Sequence, residues 1–570
     1  MNSSFFRKKS IDKIVSDQIE MEKLEGGSMV RNLGVRDLTF LGVAAIIGAS
    51  IFSAIGQASA NGGPAVSLLF VFTAVACMFT AFCYARFAAT VPISGSAYTY
   101  AYTSLGEIVA WILGWNLLLE YAISNVAVAI SWSKYFVDLV EGLGFHIPDY
   151  LTMDFLSAKR AYAEAQVAMS QGQLLESLSV NVREGYAAYS TAPLLFGWHF
   201  VANIPALLIT AAITYLVYIG IRETKNMNNI LVILKLLVIV IVVGVGAFYV
   251  QVDNWSPFAP NGISGVLKSV AAVCFAYIGF DSISTTAEEC TNPQRDIPKA
   301  MMWALLICTV LYVLVTLVLT GIVPSESLAG IEDPLAYMFT QVGLHGVAGV
   351  VAASAVIALT SALLVYQLGQ PRIWMTMSRD GLLPKAFSNI HPKYRTPSFS
   401  TIMTGVLVGI PALFANLEEV INLSSIGTLF AFVLVCGGVL ILDLDPENQK
   451  KSKFKIPYIN AKYWVGLCFV IGIYFYLPDA ASWSNYWNAH WIGDARVDHF
   501  LLSGFFIIWL VLAYFSFTIN LSLIPVLGLL VNLYLMTQMG ATNWERFLYW
   551  CIAGFLIYFS YSYRKSKLHV

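Results

Sequence analysis

The sequence predicts an all-α polytopic membrane protein with about fourteen transmembrane helices. Three observations carry that prediction. Of the 570 residues, 58% are apolar and only 12% are charged, where a soluble globular chain carries roughly 25% charged residues. Apolar runs of about 20 residues, long enough to cross the hydrocarbon core as helices, recur along almost the whole chain and leave no soluble stretch of domain size. The basic residues collect in alternate connections, as the positive-inside rule requires of a spanning chain.

In chain order the runs cover about 37–58, 65–87, 107–133, 200–220, 228–250, 264–288, 298–322, 346–371, 398–415, 423–443, 462–478, 499–517, 521–539 and 545–563. They divide the chain into a cytoplasmic N-terminal segment (1–36), a ten-helix core (37–443) and four additional helices with a cytoplasmic C-terminus (444–570). With both termini inside, only Lys134, Lys159, Arg160, Arg183, Arg496 and Arg546 fall outside, and only Lys235 and Lys268 stay within spans. The N-terminal segment sets Arg7, Lys8, Lys9 and Lys13 beside Ile11, Ile14, Val15 and Ile19 at helical spacing, which predicts an amphipathic cytoplasmic or interfacial helix. No short apolar core with a small-residue cleavage site follows these charges, so a cleavable signal peptide is not expected. The outer connection 138–197 has an Ala- and Gln-rich middle (AEAQVAMSQGQLLESL) that predicts one or two capping helices. The inner connection from Arg372 to Pro397 holds five basic residues.

Several function classes are disfavoured. A formal net charge of −1 implies no nucleic-acid partner. All eight cysteines lie in or beside apolar segments and are expected to be buried thiols. The histidines lack metal-ligand spacing, so no metal or cofactor is expected, and no nucleophile or carboxylate pair has the spacing an enzyme would need.

Two spans carry glycine-containing interruptions. The first reads Ile46-Ile47-Gly48-Ala49-Ser50-Ile51-Phe52, and the sixth reads Phe275-Ala276-Tyr277-Ile278-Gly279-Phe280-Asp281-Ser282. Broken backbone at membrane depth is tolerated only against protein or a polar cavity, and matching interruptions in two successive groups of five helices point to a transporter site. The amino end of a half-helix offers N–H groups to a carboxylate, and the carboxyl end offers carbonyls to an ammonium. A zwitterionic amino acid matches that pair of ends. The alternative is that small residues merely permit close helix packing.

The stretches GVRDLTFLGVAAIIGASIF (34–52), VPISGSAYTYAYTSLGE (91–107), FAYIGFDSISTTAEECTNPQRDIP (275–298) and GQPRIWMTMSRDGLLP (369–384) closely resemble the amino acid–polyamine–organocation superfamily. Within it the resemblance is to the cationic amino acid transporter family and its bacterial amino acid permease relatives. It implies a five-plus-five inverted-repeat core with discontinuous helices 1 and 6 around the substrate. The substrate carboxylate would then meet the amides of Ala49 and Ser50 beside Gly48. Its ammonium would meet carbonyls of Ile46, Phe275 and Ile278 beside Ala276 and Gly279, with Phe280 and Tyr366 bordering the side-chain pocket. Three departures stand out: Ser50 replaces a second glycine, Arg86 replaces an acidic residue at the end of helix 2, and the runs near 462–478 and 499–517 look like an inserted pair.

Lys235 and Glu120 are ionisable groups inside spans, where a charge costs about 2.5 to 3.5 kcal/mol on insertion scales and needs a partner, a cavity or neutralisation. The resemblance implicates the helix 5 lysine in proton coupling; snorkelling is the alternative for Lys235, and an ion pair with Lys235 is the alternative for Glu120. Asp281 is a further, weaker proton-coupling candidate, with a structural polar contact beside the break as its alternative. The expected function is secondary active, proton-coupled uptake of neutral amino acids across the plasma (cell inner) membrane. A pairing of Glu120 with Lys235 would leave no counter-charge for a basic side chain. An exchanger, a cationic amino acid carrier on the same fold and a non-transporting sensor are the alternatives; the absence of an appended soluble signalling domain argues against the sensor. The lipid bilayer and a small amino acid are the expected partners, with the proton as coupling ion.

Overall fold

The computed structural model describes residues 7–9, 33–90, 96–195, 197–219, 224–287, 290–331, 333–394, 396–444, 454–476 and 494–568. Their helices, in order, are α1 (Val35–Ile46), α2 (Ile55–Gly62), α3 (Val66–Thr90), α4 (Ser96–Ser104), α5 (Glu107–Gly142), α6 (Phe155–Ser170), α7 (Val180–Thr191), α8 (Ile204–Ile219), α9 (Thr224–Gly246), α10 (Gly262–Lys268), α11 (Val270–Tyr277) and α12 (Ser282–Thr285). They continue as α13 (Pro293–Ile322), α14 (Pro334–Gln341), α15 (His345–Arg379), α16 (Ser398–Phe414), α17 (Leu417–Leu442), α18 (Trp464–Tyr476), α19 (Asp494–Ile519), α20 (Leu523–Thr537) and α21 (Ala541–Ile557). Among the described residues, every predicted apolar run is mostly helix. Among the described residues seven helical stretches are singly long and apolar enough to cross a membrane; bent pairs join α10 to α11–α12 at 41° and α20 to the helix from Ala541 at 112°. Shorter apolar helices lie at Ile204–Ile219, Ser398–Phe414 and Trp464–Tyr474. The described residues are therefore mostly helical, as in a polytopic membrane protein.

Packing follows a regular rule. The second, third and fourth runs each lie against the run five later: α3 on α13, α5 on α15, and α8 on α16. Small residues permit these approaches, since a Cβ on Gly405 would meet Thr214 at 2.6 Å and one on Gly369 would meet Tyr121 at 2.6 Å. Buried polar pairs tie α5 to α15, with Asn125 bonded to Gln367 and Gln370 donating to Leu118 O at 3.1 Å, and tie α5 to α17 through Ser124 and Ser424 at 2.8 Å.

Three details refine the sequence reading. The third run continues nine residues beyond its expected end, to Gly142, because its polar last turns leave the apolar slab without any helix-breaking residue. The 138–197 connection holds two helices, α6 and α7, which pack on each other; Asp154 caps α6 by accepting from Ser157 N at 2.9 Å. A short antiparallel ribbon pairs β1 (Leu194–Leu195) with β2 (Trp198–His199). The expected amphipathic N-terminal helix lies outside the described residues, which cover only 7–9 and 33–36 of that segment. All eight cysteines are free, seven buried and Cys468 exposed.

Helices α18 and α19 contribute to a small separate core with α20, around Ala461, Val465, Phe505, Leu521, Val526 and Leu530. Asn520 separates α19 from α20 with φ of 55°, a left-handed conformation that asparagine tolerates better than most side chains. Arg86, the departure at the end of α3, donates to Asp443 Oδ1 from Nε at 3.2 Å and from Nη2 at 3.0 Å, and to Phe454 O at 3.1 Å. The two ends of the chain meet: Arg7 donates to Leu568 O at 2.9 Å, and Arg7 O accepts from Glu107 N, the first residue of α5.

Candidate substrate-binding site

Both predicted interruptions are real breaks. The first half-helix stops because Ile47 leaves helical geometry (φ −83°, ψ 85°), and the chain resumes as a π-helical turn, Ser50–Ala54, leading into α2. At the second, Ile278 is extended (φ −59°, ψ 139°) and Gly279 takes φ of 106°, a backbone open in practice only to glycine. The breaks cross there. A Cβ on Gly279 would lie 2.8 Å from Ala45 Cβ, 3.0 Å from Ala45 C and 3.1 Å from the Tyr366 hydroxyl.

The carbonyls ending α1 have lost their helical partners, and side chains from three other helices supply them. Lys235 of α9 donates to Ala44 O at 3.2 Å and Ile47 O at 2.6 Å. Tyr366 of α15 donates to Ala45 O at 3.2 Å. Tyr312 of α13 reaches Ile46 O at 2.9 Å and, across the crossing, Ala276 O at 2.8 Å; Ser50 Oγ lies 2.7 Å from the same hydroxyl and 2.8 Å from Ile46 O. Phe275 O accepts from Ile278 N at 3.2 Å. Ile46, Ala49, Ser50, Phe275, Ala276, Ile278, Phe280 and Tyr366 are all buried, so the crossing is closed to solvent. Phe280 packs edge-on against Tyr84 and near Phe432, whereas Tyr366 packs against Tyr121.

Neither of the two alternatives for these charges is seen. Lys235 is fully buried and does not snorkel, because carbonyls freed by the α1 break lie within its reach. It forms no ion pair with Glu120, whose two carboxylate oxygens are buried without geometric hydrogen-bond partners, as are both of Asp281. The Thr428 hydroxyl lies within range of Glu120 but already donates to Ser424 O at 3.1 Å. Glu120 and Asp281 stand within electrostatic reach of each other and of Tyr84, Tyr121 and Tyr366. The charge of Glu120 is therefore not committed to Lys235.

Sequence reasoning missed Tyr312. A single tyrosine in an apolar run reads as core, and only its height beside the two breaks distinguishes it.

Residues 33–558 match the sequence profile of the amino acid permease family. That span covers both breaks and every helix lining them. The chain belongs to the amino acid permease family. It is 36% identical over 569 residues to a branched-chain amino acid permease of Bacillus subtilis (strain 168), covering 100% of both chains. It is also 36% identical over 502 residues to a methylthioribose transporter of the same organism, covering 88% of this chain and 98% of that one. Cationic amino acid transporter 4 of Homo sapiens is 31% identical over 603 residues, with 95% and 88% covered. Membership makes the chain an integral membrane transporter for amino acids, and the crossing of the two breaks is its candidate site.

Proposed function

We propose that the protein takes up neutral amino acids, with branched-chain side chains the first candidates, and couples their entry to protons through Lys235. The observation that supports this reading is the crossing of the two broken helices; in this reading the Ala49 and Ser50 amides receive the carboxylate, and the carbonyls of Ile46, Phe275 and Ile278 receive the ammonium. Gly279 keeps the two backbones close, Gly48 packs against Ala362 and Val128, and Phe280 and Tyr366 border the side-chain space. Lys235 donates to the last carbonyls of α1. A charge-assisted hydrogen bond is worth about 1.5 to 3 kcal/mol against about 0.5 to 1.5 for a neutral one, so loss of its proton loosens α1 and links protonation to the helix that must move. Glu120 and Asp281 serve as secondary proton carriers.

The chain crosses the membrane fourteen times, as a ten-helix inverted-repeat core (37–443) followed by four helices (444–570), with both termini cytoplasmic and 138–197 outside. The contact of Arg7 with Leu568 supports an even number of crossings, and the packing of runs two, three and four on their counterparts five later supports the repeat. In a cysteine-free variant on intact cells, Ser170→Cys is expected to react with an impermeant thiol reagent and Ser10→Cys only after permeabilisation. The reverse pattern overturns the orientation.

A basic substrate is the second reading, favoured by the unpartnered Glu120 and Asp281 carboxylates that could receive its side chain. Competition of all common amino acids, and of methylthioribose, against labelled leucine in liposomes separates the readings. Neutral aliphatic amino acids are expected to compete at least tenfold better than arginine or lysine, and Tyr366→Ser, which opens volume, is expected to widen the range. Arginine competing as well as leucine in the wild type would transfer Glu120 to the role of substrate counter-ion.

A further inference from the structure

The four oxygens at the crossing are short of hydrogens. Tyr312 Oη lies 2.9 Å from Ile46 O, 2.8 Å from Ala276 O and 2.7 Å from Ser50 Oγ, and Ser50 Oγ lies 2.8 Å from Ile46 O. Each hydroxyl has a single hydrogen to donate, so these four contacts share two hydrogens. Ile46 O also accepts from Gly48 N at 3.1 Å, but at least two oxygen pairs still face each other without a hydrogen between them in a fully buried place. An ammonium group brings three N–H donors and a positive charge. The same oxygens would satisfy it better than they satisfy each other.

The Tyr312 hydroxyl also lies against both breaks, its one hydrogen serving either carbonyl, since Ile46 O ends the first half of helix 1 and Ala276 O lies in the last turn before the break in helix 6. No other described side chain is bonded to carbonyls at both breaks. Ile46 O is one of the acceptors expected for the substrate ammonium, and Ala276 O adjoins another.

We propose that Tyr312 is a positioning residue of the empty carrier: its hydroxyl stands in for the substrate ammonium, closing the substrate-free site by filling the space between Ile46 O and Ala276 O, and yields these carbonyls when the amino acid arrives. The inference rests on the transport reading above and adds a role that reading does not require. Net uptake needs the empty site to close and return across the membrane, whereas exchange of internal for external amino acid returns the site loaded. Removing the hydroxyl should therefore slow only the empty return. It also relieves the substrate of a competitor, so half-saturation should fall.

The test uses purified Tyr312→Phe and wild-type protein in liposomes, with labelled leucine as probe. Exchange into leucine-loaded liposomes is expected to stay within about twofold of wild type. Net uptake into empty liposomes is expected to fall at least tenfold, and the half-saturating concentration in exchange to fall about three- to tenfold, the order expected for releasing one neutral hydrogen bond. Independently of transport, leucine should raise the melting temperature of the detergent-solubilised variant more than that of wild type. Equal losses in exchange and net uptake, unchanged rates, or a higher half-saturation with a smaller thermal shift would overturn the proposal. If wild type moves and binds none of the common amino acids, the functional reading itself fails, and this role with it.

Discussion

Gly279→Ala is expected to reduce uptake by roughly 30-fold or more. With φ of 106° the residue lies beyond the region L side chains enter cheaply, and a left-handed conformation alone costs about 1 to 2 kcal/mol for a residue with a Cβ. The added methyl would stand 2.8 Å from Ala45 Cβ and 3.0 Å from Ala45 C. The second of these is backbone and cannot rotate away, and forcing a methyl into a packed site typically costs a further 1 to 3 kcal/mol. The sum, about 2 to 5 kcal/mol, falls on the arrangement in which the two breaks touch and spares the rest of the bundle. Gly427→Ala is the control, because a Cβ at Gly427 meets nothing within 4 Å. Uptake per folded molecule should be near wild type for Gly427→Ala and nearly lost for Gly279→Ala. Wild-type uptake by Gly279→Ala would show that the crossing is not where substrate passes.

The helical membrane architecture and the location of both breaks were legible because they depend on local sequence. Twenty apolar residues dictate a helix in lipid, and Gly48 or Gly279 inside such a run marks where that helix can stop. What binds to the freed carbonyls was not legible. Lys235 meets Ala44 and Ile47 from 191 and 188 residues away, and its charge suggested Glu120 as partner because sequence displays charges and hides unsatisfied backbone oxygens. Tyr312 was passed over for the same reason: its hydroxyl matters only beside Ile46 O and Ala276 O. The third run was read short because a helix that leaves the membrane no longer needs apolar residues, and Lys134, which bridges to Asp138 at 3.6 Å and Glu184 at 3.3 Å, belongs to that emergent part. Arg86 departed from the expected charge at the end of α3, and its pairing with Asp443 gives the departure a structural partner.

Lys235→Ala is expected to remove stimulation of uptake by a proton gradient while leaving exchange of amino acids measurable. The side chain is fully buried, and its two bonds are to backbone of α1, beside the amides and carbonyls offered to substrate and not among them. Its loss therefore removes none of the groups offered to substrate, namely Ile46 O, Ala276 O and the Ala49–Ser50 amides. It removes the group whose charge holds the end of α1. The most direct test sets wild type and Lys235→Ala side by side in liposomes, measuring labelled leucine accumulation with internal and external pH equal and with the outside more acidic. Wild type should concentrate leucine above its external level only when the outside is more acidic, and Lys235→Ala should equilibrate leucine to the same level in both conditions. Gradient-driven accumulation by Lys235→Ala equal to that of wild type would contradict the assignment of the coupling proton to Lys235, and leucine binding without uptake by wild type would contradict transport itself.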